Sequence, residues 1–225
     1  MEGESTRMSV DTATGEDLHA AMVDQLVADH AEKGLVMRPE VETALRSVPR
    51  HLFTPDAALK EAYRADRPVM TKRIGDEAGS SVSAPWRIAE MLGQAADATD
   101  GGLSGRHVLE IGSGGYNAAM LRELVAPVGS VTTVDIDREG DRPCGRLPRS
   151  GELRRRGRRL RGRRAADRPA RSYDLIIVEV GAWDIPPAWI AQLTENGTLV
   201  VPLLWEVECD INGFGFEMQR RHSSS

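Results

Sequence analysis

Cysteine is almost missing from this chain. Cys144 and Cys209 are the two in 225 residues, too few for a disulfide framework or a metal-ligand cluster. No apolar run approaches the roughly eighteen residues that a membrane span needs. The N-terminal stretch is polar and acidic, so no signal peptide is expected. No Ser/His/Asp or Cys/His arrangement announces a covalent nucleophile, and His51 and His107 read as structural residues. A formal charge of −5 and a pI near 5.6 argue against a nucleic-acid binder by composition. These absences leave a cytoplasmic enzyme as the expectation, with length enough for one domain and a real core.

What is present centres on Val108-Leu109-Glu110-Ile111-Gly112-Ser113-Gly114-Gly115-Tyr116. It reads as a buried strand, a glycine turn, and a helix from about Asn117 to Val125. Glycine suits a turn that needs positive φ or close approach of a ligand to the backbone. The helix that follows offers free N–H groups at its start. A pyrophosphate-binding turn would carry a third glycine, which is missing here. Glu110, two residues before Gly112, would repel a phosphate and suits a cation or a hydroxyl. A second strand, Val131 to Asp135, ends in an acid, where a nucleoside-binding fold accepts ribose hydroxyls. The E-x-G-x-G pattern resembles motif I of the class I methyltransferases, which implies S-adenosylmethionine as cofactor.

Taken in order, Met1 to about Gly15 reads as a disordered N-terminus, and residues 16–225 as one domain. Leu18, Met22, Val23, Leu26 and Val27 have helical spacing between Glu16 and Lys33. Pro39 suits the first turn of a second helix that presents Val41, Ala44, Leu45 and Val48 on one face. An extended, glycine-containing segment runs to Ser83. There Ser83-Ala84-Pro85-Trp86 opens another helix, with Ser83 expected as its N-cap and Ile88, Met91 and Leu92 buried.

The order of these pieces is similar to that of the protein-L-isoaspartate O-methyltransferase family. The resemblance rests on Val48-Pro49-Arg50-His51-Leu52-Phe53, Ser81-Val82-Ser83-Ala84-Pro85, the Glu110 turn, Tyr173-Asp174-Leu175-Ile176-Ile177-Val178, Ile185-Pro186-Pro187, and Gly197-Thr198-Leu199-Val200-Val201-Pro202. The phrases Gly114-Gly115-Tyr116-Asn117 and Val180-Gly181-Ala182-Trp183 resemble a branch that modifies ribosomally made peptides. The resemblance implies an α/β fold, a Rossmann-like doubly wound sheet with N-terminal helices. It implies Ser83 as the active-site residue, and Ser80, Ser81, Val82, Glu110, Gly112, Ser113, Gly114 and Asp135 as cofactor contacts, with no metal. It also implies methyl transfer from S-adenosylmethionine to a carboxylate of a protein or peptide, most simply an L-isoaspartyl residue, with aspartyl side chains of a precursor peptide as the alternative. Such chemistry asks little of the protein. A carboxylate is ionised at neutral pH, and orientation can contribute about 7–11 kcal/mol. Two positions depart from the family: Gly79, where many members have Gln, and Glu179, where members usually carry a small or uncharged residue. A Glu179 that lined the pocket would repel a substrate carboxylate.

The stretch from Arg138 to Arg171 stands apart. It holds fourteen Arg, no Lys and four acids, an excess of ten positive charges, so the remainder carries −15. Within 140–171, Leu147, Leu153 and Leu160 are nearly the only large apolar side chains, and the family's third strand and adenine-contacting acidic loop are not visible. One reading is an Arg-rich nucleic-acid arm, although aromatics for base stacking are lacking. Another is a shifted reading frame in GC-rich DNA: codons for Gly140–Arg146 read one base later can give Val-Thr-Asp-Arg-Ala-Ala. On that reading the product could be inactive. A C-terminal strand is also expected to be lost, exposing a sheet edge.

Overall fold

The computed structural model describes residues 13–74, 77–135 and 172–204. The Arg-rich segment, both cysteines, the N-terminal residues 1–12 and the expected missing strands lie outside these residues.

The chain enters helix α1 (Gly15–Glu32) one residue before the expected start. Thr14 is its N-cap and forms a capping box with Asp17, satisfying donors that the first turn leaves free. Helix α2 (Pro39–Ser47) begins on proline, whose fixed φ suits the first helical position. A 3-10 turn, Arg50–Phe53, and the single-turn helix α3 (Leu59–Ala62) follow. Strands β1 (Val69–Ile74) and β2 (Glu77–Val82) then pair antiparallel with irregular register. Helix α4 (Pro85–Ala98) leads to strand β3 (His107–Ile111), helix α5 (Tyr116–Val125) and strand β4 (Ser130–Val134). Strand β5 (Tyr173–Val178), helix α6 (Pro187–Gln192) and strand β6 (Leu193–Val200) complete the described residues.

Strands β3 to β6 form one parallel sheet in the order β4-β3-β5-β6. Parallel strands buried on both faces carry runs of apolar residues rather than alternation. Here Val108, Leu175 and Ile177 face one core with Leu26, Val41, Leu45, Ile88, Leu92, Met120 and Leu121. Their strand neighbours Leu109, Ile176 and Val178 face a second, smaller core with Tyr173 and Leu193. Both faces are therefore covered, as a doubly wound sheet requires. The chain leaves β3 for β4 on one side and returns to β5 on the other. A crevice at the C-terminal ends of β3 and β5 is where such a sheet binds ligands. Among the described residues no helix is long and apolar enough to cross a membrane.

Candidate active site

The glycine turn stands at that switch point. Gly112, Gly114 and Gly115 have φ of 85°, 62° and 97°, a left-handed region that other residues adopt at a cost. Gly115 is the N-cap of α5 and donates its N–H to the Ser113 hydroxyl at 3.0 Å. The Gly112 N–H donates to the Val134 carbonyl at 2.9 Å, which brings Asp135 to the same edge of the sheet on the neighbouring strand. A Cβ placed on Gly114 would stand 3.8 Å from Val82, so the end of β2 lies over the turn. Ser80 and Ser81 precede Val82 on β2, half-buried and paired with Lys72 and Met70. Their link to the turn is the strand they share with Val82.

Glu110 is fully buried at the end of β3. Thr133, its register partner on β4, donates its hydroxyl to Glu110 Oε2. Glu110 Oε1 has no partner. Burial pushes this carboxyl up to about 8, opposed by the hydroxyls of Thr133 and Ser113 and reinforced by the nearby carboxyls of Glu179 and Asp135.

Ser83 does not cap α4. The N-cap is Ala84, with Pro85 in the first helical position and no side-chain capping bond. Proline fixes the backbone so that the helix starts directly at residue 85, leaving Ser83 one position too early to reach the free N–H groups. Its hydroxyl instead lies beside the carboxyl of Glu179, the residue that follows β5. The Glu179 N–H donates to the Ile111 carbonyl at 2.9 Å, which places it across β3 from Asp135. Burial pushes the Glu179 carboxyl up, while Ser83, Arg87 and Arg50 favour its ionised form. The Ser83 hydroxyl does not meet the geometry of a full hydrogen bond, and both Glu179 oxygens are unpartnered.

Arg50 was not among the expected site residues. It is fully buried, donates from Nη2 to the Val82 carbonyl at 3.1 Å, and stacks on Tyr116 with 5.0 Å between guanidinium and ring centre. It therefore ties β2 to the first turn of α5. Its Nε and Nη1, the Tyr116 hydroxyl and the buried Asn117 amide are also unpartnered. Buried polar groups are normally satisfied, and a concentration of exceptions around one turn marks a place built for polar company. The Val48-Pro49-Arg50 motif was a signal for Arg50, but nothing in its spacing said that the side chain would be buried. The two histidines lie elsewhere in their bonding: His51 Nδ1 pairs with the Tyr63 hydroxyl at 2.5 Å, and His107 Nδ1 with Ser130 at 2.8 Å, at the opposite end of β3.

These groups fit S-adenosylmethionine. An orphaned carboxyl oxygen on Glu110 and the acid Asp135 suit a ligand with cationic centres and a ribose diol, and the glycines leave backbone open to it.

Comparison with known proteins gives the same direction. The family profile described as protein-L-isoaspartate(D-aspartate) O-methyltransferase matches residues 21–214. The protein-L-isoaspartate O-methyltransferase of Ignicoccus hospitalis is 34% identical over 190 residues, 80% of this chain and 80% of its own. That of Methanopyrus kandleri is 33% identical over 207 residues, 88% of this chain and 85% of its own. A solved protein-L-isoaspartate O-methyltransferase superposes with a TM-score of 0.59 at 26% identity, over 80% of this chain. This chain spans 55% of that protein's length. A Plasmodium falciparum structure in complex with S-adenosyl-L-homocysteine has a TM-score of 0.55 at 19% identity, over 81% of this chain and 84% of its own, a likeness of fold. By the span of the profile match and the identity of these relatives, the chain belongs to the protein-L-isoaspartate(D-aspartate) O-methyltransferase family.

Proposed function

We propose that this chain transfers a methyl group from S-adenosylmethionine to a carboxylate of a protein or peptide, with the α-carboxyl of an L-isoaspartyl residue as acceptor, and that it does so in the cytoplasm. The observation that carries the reading is the buried Glu110 with its orphaned oxygen, set at a left-handed glycine turn beside Asp135. S-adenosylmethionine supplies an electrophilic methyl group when bound. Glu110, Gly112, Ser113, Gly114 and Asp135 would hold it, with Val82 and the Ser80–Ser81 strand closing the turn from above. Ser83 holds one acceptor oxygen in line. It needs no activation as a nucleophile, because the acceptor is already ionised at neutral pH. Arg50 fixes the carbonyl of Val82 and so the strand that delivers Ser83.

Titration calorimetry with S-adenosylmethionine, on the native chain and on Asp135→Ala, tests the cofactor half. The substitution should weaken binding by about 1.5–3 kcal/mol, the worth of a hydrogen bond to a charged group. Equal affinity in a folded variant would remove Asp135 from the ribose. Methyl transfer to paired synthetic peptides tests the acceptor half. Transfer to the L-isoaspartyl peptide supports the proposal; transfer confined to aspartyl side chains would replace it with modification of a precursor peptide.

A further inference from the structure

The Glu179 carboxyl sits between the two halves of the site and is used by neither. It follows β5 directly, is 5% exposed, and has both oxygens unpartnered. Ser83 lies on one side of it, and on the other it is near enough to Glu110 to act on that carboxyl electrostatically. Glu179 therefore borders both the turn read as the cofactor site and the serine read as the acceptor site.

We propose that Glu179 is an acceptor-binding residue: its protonated carboxyl donates one hydrogen bond to the acceptor carboxylate at Ser83, fixing one oxygen and leaving the other free to take the methyl. This rests on the carboxyl methyl-transfer reading above. Two carboxyls in contact within a low-dielectric site do not both ionise, and the proton they share becomes a strong hydrogen bond. The charged groups that face Glu179 are Arg50 from the 3-10 turn, Arg87 from α4, and Glu110 from β3. Asp135, the residue after β4, acts electrostatically on Glu110. Neither arginine is hydrogen-bonded to Glu179, so neither replaces the proton. Burial already favours the neutral form in the free chain, and an arriving carboxylate favours it further.

The step balances without a base. The free acceptor oxygen forms the new C–O bond, the C–S bond breaks with its electron pair staying on sulfur, and the proton remains on Glu179. A residue that is small and uncharged at this position would leave the acceptor to Ser83 alone.

The test is peptide binding to the full chain saturated with S-adenosylhomocysteine, which keeps the cofactor side fixed. Calorimetry with a synthetic L-isoaspartyl peptide, from about pH 6 to about pH 9, is run on the native chain, Glu179→Gln and Glu179→Ala. On the alkaline side native affinity should fall by about tenfold per pH unit with uptake of a proton, whereas Glu179→Gln, a neutral donor at every pH, should show a flat profile. At the acid end Glu179→Ala should bind about tenfold more weakly than the native chain, having lost the donor. Retained affinity for S-adenosylhomocysteine shows that each variant is folded. If Glu179→Ala equals or exceeds the native chain at the acid end, Glu179 is only a repelling neighbour and the proposal is overturned. The same holds if native and Glu179→Gln profiles are alike while peptide binding persists, and the function reading then stands alone. A native chain that binds neither S-adenosylhomocysteine nor peptide would overturn the function reading and this proposal with it.

Discussion

Thr133 donates its hydroxyl to the buried carboxyl of Glu110, its register partner across the β3–β4 pair. The bond crosses between the strand that leads into the glycine turn and the strand that leads into Asp135. It therefore fixes the relative position of the two acids that the cofactor reading needs. Thr133→Val keeps the shape and removes the donor. It should cost about 1–3 kcal/mol of stability, the penalty of stranding a buried polar group, and should weaken S-adenosylmethionine binding in parallel. Thermal unfolding and calorimetry on the same variant check this. An unchanged melting temperature would mean that Glu110 does not depend on Thr133.

The protonation of Glu110 gives a signed pH dependence. Its folded value, about 8, lies above the ordinary 4.5, so the native state holds a proton that the unfolded state has released between those values. Stability of the ligand-free chain should therefore fall as pH rises through that window, by up to about 1.4 kcal/mol per pH unit from this group. Glu110→Gln should flatten the slope. Glu179 is raised by burial as well and leaves a residual slope of the same sign. A cationic ligand favours ionised Glu110, so S-adenosylmethionine binding at neutral pH should release a proton and tighten as pH rises toward about 8. Calorimetry in two buffers of different ionisation enthalpy measures the release, and none at all would detach Glu110 from the cofactor.

Gly112 carries two constraints at once. Its φ is 85°, and an added Cβ would meet Val180 Cγ1 at 2.7 Å. Val180 is 47% exposed and can yield, but the backbone conformation cannot be relieved so simply. Gly112→Ala should cost about 1–3 kcal/mol from backbone strain, and cofactor affinity should fall with it. Chemical denaturation of the free and liganded variant separates the two effects.

Local pattern made the sheet and its turn legible. Val108 to Ile111 and Tyr173 to Val178 are mostly apolar rather than alternating, interrupted by Glu110 and Asp174, because both faces of a parallel sheet are covered, and the glycines mark the turn between β3 and α5. In the sequence the β1–β2 hairpin shows only as an extended, glycine-containing segment. Its strands hold Lys72, Arg73, Ser80 and Ser81 and pair with shifted register, so no two-residue alternation announces them. Thr133 and Arg50 were missed as site residues because their roles come from neighbours distant in sequence: a register partner 23 residues away and a carbonyl 32 residues away. Glu179 stood out as a departure from its family, but only the packing of β5 beside β3 puts it next to Ser83. Ser83 itself was mislocated by one position, since serine before Ala-Pro has the composition of a cap and proline decides where the helix starts.

That displacement sharpens the test of Ser83. A true N-cap serine would cost about 1 kcal/mol when replaced by alanine. Here Ala84 holds the cap position and Ser83 makes no capping bond, so Ser83→Ala should change stability by no more than about 0.5 kcal/mol. Val82 still covers the glycine turn in that variant, so S-adenosylmethionine affinity should stay near normal. What should fall, on the proposed role of Ser83, is turnover with an isoaspartyl peptide, because the acceptor oxygen would lose the hydroxyl that aligns it. Losing one such hydrogen bond, worth about 1.5–3 kcal/mol when the partner is charged, corresponds to roughly a tenfold to hundredfold loss in kcat/KM. Ser83→Thr keeps the hydroxyl and should recover most of the rate. A Ser83→Ala variant with native turnover, or a Ser83→Thr variant no better than alanine, would remove the hydroxyl from the reaction and leave Glu179 as the acceptor's remaining polar neighbour on that side of the turn.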